Sequence, residues 1–230
     1  MYENEEQFKR YVSRKKVIFQ DTFDYCRSYI GLEVNMGRYI PDIVLVLFKE
    51  YPVKGIIPRN WTLKHSFVLY YVRKRGPISA KEVSDLCYSD LRSVEKILES
   101  MKDSGMVNRR EDGYEAAKEL SSWKSDIVAV ELKMKRWGRA VRQAERYKEF
   151  ADSVHVVMPN EGAQNAMDNL MSFREKGVGL SVVHEGRERA VLPGVAEPPD
   201  DPRHHHLQVS SLLGHTPNWL RYESNASSHT

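Results

Sequence analysis

Cysteine is scarce in this chain. Two occur in 230 residues, Cys26 and Cys87, in unrelated segments and without metal-ligand spacing. A disulfide framework is thereby excluded, and the two read as reduced packing residues of a cytoplasmic protein. Long apolar runs are also lacking. The longest, DIVLVLF, falls far short of the roughly 20 residues that cross a bilayer, so no membrane partner is expected. The opening MYENEEQFKR is charged where a secretory leader is apolar. A strong charge of one sign is missing too. The 35 Lys and Arg against 32 Asp and Glu leave +3, which permits an anionic partner without demanding one. With 41% hydrophobic and 29% charged residues, the composition is that of a soluble globular protein of one large or two small domains.

The distribution of charge is more telling than its sum. KRYVSRKK (9–16) packs five basic residues into eight, and KMKRWGRAVRQAERYK (133–148) has seven basic residues against one acidic. Such runs are ordinary solvated surface unless something else points to a ligand.

Apolar spacing of Phe8, Val12, Phe19, Phe23, Cys26 and Ile30 predicts one or two helices over about 3–33. YIPDIVLVLF then reads as a buried strand starting near Asp42. From Trp61 to about Lys118 the pattern changes to short helices. TLKHSFVLYYVRKRG sets Leu63, Phe67, Tyr70 and Tyr71 on one side and ends at a glycine. ISAKEVSDLCY carries a capping box, Ser79 with Glu82, and SDLRSVEKILESMKDSG has Leu91, Val94, Ile97, Leu98 and Met101 as its apolar face. MVNRREDGYEAA is a two-stranded ribbon turning at DG.

That order of three helices and a hairpin resembles the winged helix-turn-helix family. The resemblance implies that the third helix enters the DNA major groove, with Arg92, Ser93 and Lys96 at bases or phosphates and Arg109 and Arg110 in the wing. Between 62 and 118, nine acidic residues stand against eleven basic ones, so the segment has no strong electrostatic footprint. A module that binds protein or packs internally is the alternative.

Beyond it, SDIVAVELKMKRW is a second buried strand and GRAVRQAERYKEFADS a helix. VHVVMP is a strand, NEGAQNAMDNLMSFREKG a helix, and VGLSVVHEGRERAVL a closing strand or hairpin. This alternation predicts an α/β sheet with partly parallel strands. Prolines, acids and the run His204-His205-His206 follow, and 196–230 reads as a flexible tail in which the histidines are incidental.

In VAVELKMKRW (128–137), Glu131 and Lys133 share one face of a strand with Ile127 and Ala129. Burying such charges costs several kcal/mol unless they are paired or bind something. An internal salt bridge is one account. The other is a metal site, with a carboxylate for Mg²⁺ and an ammonium for a water or a phosphate. On the next helix Gln143 and Tyr147 lie four apart on one face, and Arg139, Arg142 and Arg146 form a basic stripe.

These elements resemble the PD-(D/E)xK nuclease superfamily. ELK matches its E-x-K element, QAERY the Q-x-x-x-Y element of RecB-type members, and Pro41-Asp42 the proline-aspartate pair heading the preceding strand. Asp126 is the rival aspartate, but five positions from Glu131 put it on the opposite face, roughly 17 Å away. In an antiparallel hairpin Asp42 and Glu131 meet instead. The roughly seventy residues between the strands form a domain inserted at the hairpin's far tip. Glu33 is a candidate for the extra acid that some members carry on a first helix, or a surface glutamate.

The resemblance implies an α/β fold: a restriction endonuclease-like mixed sheet flanked by helices, with an inserted winged helix-turn-helix domain. Its core spans 1–58 and 121–195, with the insertion at 59–120. It implies a DNA nuclease using Mg²⁺, with Mn²⁺ as a substitute. Asp42 and Glu131 hold the metal, Lys133 positions the attacking water, and Gln143 and Tyr147 hold substrate or Lys133. Arg139, Arg142 and Arg146 meet phosphates, and a homodimer is compatible with this arrangement. A DNA-binding regulator on the same scaffold and a protein-interaction module are the competing expectations.

Overall fold

The computed structural model describes residues 2–15, 27–49, 61–117, 125–185, 187–213 and 219–223. The chain opens with helix α1 (Glu5–Lys15) and strands β1 (Arg27–Leu32) and β2 (Ile43–Phe48). Helices α2 (Leu63–Arg75), α3 (Ala80–Leu86) and α4 (Leu91–Asp103) follow, with the hairpin β3 (Val107–Arg110) and β4 (Gly113–Ala116). Strand β5 (Ser125–Leu132), helix α5 (Trp137–Tyr147) and strand β6 (Ser153–Pro159) come next. The rest comprises α6 (Gln164–Met167), α7 (Leu170–Glu175), β7 (Gly179–His184), β8 (Arg187–Leu192), α8 (Pro202–Leu213) and β9 (Trp219–Glu223). No helix among the described residues is long and apolar enough to cross a membrane.

Seven strands form one mixed sheet in the order β8-β7-β6-β5-β2-β1-β9. Strands β5, β6 and β7 run parallel, joined by helical crossovers, whereas β2 is antiparallel to both β1 and β5. Strands β2 and β6 are buried along their whole length, which is why β2 is apolar at every position and β6 at all but Ser153 and His155, rather than alternating. On one face Val44, Val46, Ile127, Ala129, Val154 and Val156 pack with Ala140, Val141 and Ala144 of α5, Phe173 of α7 and Leu207 of α8. On the other face Ile43, Leu45, Val128, Val130 and Leu132 lie under Phe8 and Val12 of α1.

Helices α2 to α4 and the β3-β4 hairpin enclose a core of their own, including Val68, Leu69, Val83, Val94, Leu98 and Met106. The Ser79 capping box forms as expected, with Glu82 N–H donating to Ser79 Oγ and Ser79 N–H to Glu82 Oε2. The face expected for α2 is corrected: Ser66, Val68, Leu69 and Val72 are buried, while Phe67, Tyr70 and Tyr71 are only partly so. Helix α2 packs on two sides. One flank faces the module's core, and the other meets α8, where Ser66 Oγ lies 3.2 Å from His206 Nδ1 and Tyr70 Oη donates to Asp200.

Two further expectations are overturned. The helical pattern extended to Ile30, but 27–32 is a strand, and Glu33 follows it on an exposed turn rather than on a helix. Pairing with β2 on one side and β9 on the other outweighs a local spacing of four. Phe19, Phe23 and Cys26 lie outside the described residues. The region read as a flexible tail holds α8, with Leu207 and Val209 fully buried, and β9, which extends the sheet at β1. The polar stretch before it marks the connection, not the whole segment. His204 and His206 therefore sit on a helix, where His204 Nε2 meets Asp152 Oδ2 at 2.8 Å.

Candidate active site at the ends of two strands

Strands β2 and β5 pair with Ile43 opposite Val130, so the next rung sets Asp42 beside Glu131. The register that buries IVLVLF against SDIVAVEL thereby brings two carboxylates to one end of the sheet. Asp126 lies at the far end, opposite Leu47, and pairs with Lys49 at 2.9 Å. The helical module leaves the sheet from that far end, between Phe48 and Ser125.

Each carboxylate is held on both oxygens. Asp42 Oδ2 accepts from the Leu132 N–H at 2.9 Å, and Asp42 Oδ1 accepts from Lys9 Nζ at 3.0 Å. Glu131 Oε2 accepts from Tyr147 Oη at 2.6 Å, and Glu131 Oε1 lies 3.0 Å from Lys133 Nζ. Glu131 is only 2% exposed. Burial raises its pKa above the ordinary carboxylate range, and the charge of Asp42 adds to the rise, against the opposing pull of Tyr147 and Lys133. Burial and the Glu131 charge likewise push the Tyr147 phenol far above its usual value. It stays a donor.

Helix α1 supplies two residues that sequence reasoning missed, Glu5 and Lys9. Lys133 Nζ donates to Glu5 Oε1 at 2.7 Å, and Lys9 Nζ reaches Glu33 Oε1 at 2.6 Å as well as Asp42. Both ammonium groups are pulled down by burial, yet their carboxylate partners more than offset it and raise them above the ordinary lysine range. The signal was present in EEQFKRYV. Glu5 and Lys9 are four apart, flanking the buried Phe8, and so project along one side of an amphipathic helix.

The other predicted residues fall into two groups. Gln143 lies one turn before Tyr147, and its Oε1 is buried without a hydrogen-bond partner. Arg139, Arg142 and Arg146 are exposed on α5. Arg139 shares an open groove with Glu5, Lys133, Met134, Lys135 and Arg136, which continues the site onto the basic surface. The residues expected on the module are more neutralised. Ser93 accepts from Lys64 at 2.6 Å, Arg109 lies 3.6 Å from Glu99, and Arg110 donates to Glu115 at 2.7 Å. Arg92 and Lys96 are exposed, sharing their face of α4 with Glu95, Glu99 and Asp103.

No family model, curated protein or solved structure matches this chain. Among the described residues, no group of three or more His, Cys, Asp or Glu side chains comes together as a metal cage. What stands at the sheet end is the carboxylate pair Asp42 and Glu131, two ammonium groups with their outer partners Glu5 and Glu33, and a phenol.

Proposed function

We propose that the protein is a Mg²⁺-dependent deoxyribonuclease with a restriction endonuclease-like core and an inserted winged helix-turn-helix. The observation that carries this reading is the rung that sets Asp42 beside the buried Glu131, with Lys133 and Tyr147 bonded to Glu131. The donor set suits a hard dication, which proteins commonly hold through one or two carboxylates while water and phosphate oxygens complete the shell. Glu131 is disfavoured as an anion beside Asp42, and a cation between them relieves that cost. Asp42 and Glu131 hold the metal, Mg²⁺ or Mn²⁺, which when bound supplies Lewis acidity at the scissile phosphate.

The chain's own groups do the rest. Lys133 donates to the attacking water and stabilises charge developing on the phosphate. Tyr147 fixes the rotamer of Glu131, and Gln143 offers its half-buried amide to substrate. Arg139, Arg142 and Arg146 neutralise backbone phosphates away from the cut, and Arg92 and Lys96 contribute contacts from the module.

A second reading, a DNA-binding regulator that keeps the scaffold without cutting, is favoured by one observation. Each carboxylate already faces an ammonium at 3.0 Å, so the charges are paired without a metal. A panel of labelled duplex, flap, junction and single-stranded DNAs, incubated with Mg²⁺, Mn²⁺ or EDTA, separates the two. Metal-dependent cleavage that Glu131→Ala and Lys133→Ala abolish while DNA binding persists supports the nuclease. Unchanged cleavage by both variants removes these residues from the chemistry, and retention of DNA without cleavage by the wild type selects the regulator.

A further inference from the structure

Asp42 presents its two oxygens differently. Oδ2 is held by the backbone N–H of Leu132, whereas Oδ1 is bonded by the ammonium at the end of a lysine side chain. That lysine, Lys9, is held in place by its helix, because Phe8 and Val12 are 0% and 1% exposed against the sheet. Its ammonium already has a second partner, Glu33 Oε1 at 2.6 Å.

Glu33 is itself unusual. Its φ is +48°, a left-handed conformation that residues other than glycine seldom adopt, and its N–H donates to the Asp42 carbonyl at 3.2 Å. Backbone strain of this kind persists where the surroundings impose it. Here it places a carboxylate beside Lys9, 62% exposed and so hydrated whether or not it is paired.

We propose that Lys9 is a displaceable counter-ion of Asp42, which a divalent cation must dislodge to bind there, and that Glu33 keeps the ammonium paired once it is dislodged. The inference rests on the metal-dependent reading above. Without a metal, Lys9 neutralises Asp42 and prevents two facing carboxylates from repelling each other. With one bound, an ammonium left at Oδ1 competes for the same lone pairs and repels the ion. Glu33 then offers the ammonium a partner on the solvent side, so displacement does not strand a charge. Removing the ammonium should then tighten metal binding by more than the loss of one nearby charge alone, and removing the Glu33 carboxylate should weaken it.

The test is Mn²⁺ binding to the whole chain without DNA, followed by the loss of the free-ion electron paramagnetic resonance signal. Lys9→Met, which keeps the apolar stem, should bind Mn²⁺ about tenfold more tightly, since a charge-assisted bond no longer has to be broken. Lys9→Gln should shift the same way and stands in if the first variant does not fold. Glu33→Gln should bind about two- to fivefold more weakly, as expected for an exposed partner, and Asp42→Asn should abolish binding. Equal or weaker affinity in both Lys9 variants, with binding still lost in Asp42→Asn, overturns the counter-ion role and leaves the nuclease reading standing. Unchanged or tighter binding in Glu33→Gln removes Glu33 from it. Mn²⁺ binding by none of the proteins overturns this proposal and the metal-dependent reading together.

Discussion

The hydroxyl of Tyr147 donates to Glu131 at 2.6 Å, joining the last turn of α5 to the end of the strand that precedes it. Both groups are buried, so this bond has no water to replace it. The pair couples the sheet to the helix that carries the basic stripe.

Tyr147→Phe leaves the ring packed and removes the donor. A buried carboxylate losing one hydrogen bond should cost about 1–3 kcal/mol of stability, measured by denaturant unfolding at pH 7. In a cleavage assay the acidic limb of the pH-rate profile should move to higher pH, because the bond that opposed the rise in the Glu131 pKa is gone. An unmoved limb would detach Tyr147 from Glu131 in function.

Glu131→Gln should raise the thermal midpoint at neutral pH in the absence of divalent cation. The folded-state pKa of Glu131 lies above its ordinary 4.5, chiefly through burial and then the Asp42 charge. Its contribution to stability is therefore fully present below about pH 4.5 and is lost as pH rises through the folded value. The amide does not titrate, so the advantage of the variant should grow with pH and disappear in acid. Melts at a series of pH values check this sign.

Docking of the helical module should be acid-sensitive. Burial holds the His206 imidazole down at about 4, where it faces Ser66 across the contact between α2 and α8. A group whose folded pKa is depressed adds stability above its unfolded value near 6.5, and that stability is lost as pH falls from there towards 4. Hydrogen exchange where α2 meets α8 should quicken over this window more than in α3 and α4, which face only the module's shared core. Replacing His206 with Asn should reduce the pH dependence, leaving the smaller part due to His65 of α2, which burial also holds down.

Substituting Arg139, Arg142 and Arg146 together by Ala should weaken DNA binding uniformly across sequences. If each meets one phosphate, the slope of log K against log salt becomes shallower by about 2 to 3. Far-ultraviolet circular dichroism should be unchanged, since all three side chains are exposed. A slope equal to that of the wild type would take the stripe off the DNA path.

The amino-acid sequence alone determined the two central strands, because continuous apolar runs of that length have few other solutions. It also determined the three helices and hairpin between them, through Ser79, the apolar face of α4 from Val94 to Met101 (Leu91, expected on it, is exposed) and the DG turn. The placing of Asp126 on the face opposite Glu131 was legible as well, since strand parity is a local rule, whereas the antiparallel pairing that sets Asp42 beside Glu131 is tertiary.

Only the tertiary structure decided the rest. Residues 27–32 carry a helix-like spacing yet form a strand, because the open edges of β2 and β9 flank them. The face of α2 is divided because α8, distant in sequence, packs against it. Glu5 and Lys9 read as surface charges of an amphipathic helix. They became partners of Lys133 and Asp42 only because burying Phe8 and Val12 lays α1 across the ends of β2 and β5. Periodicity records which face of an element is apolar. Which charges that burial brings together depends on where the neighbouring elements lie, and that is settled only when the sheet closes.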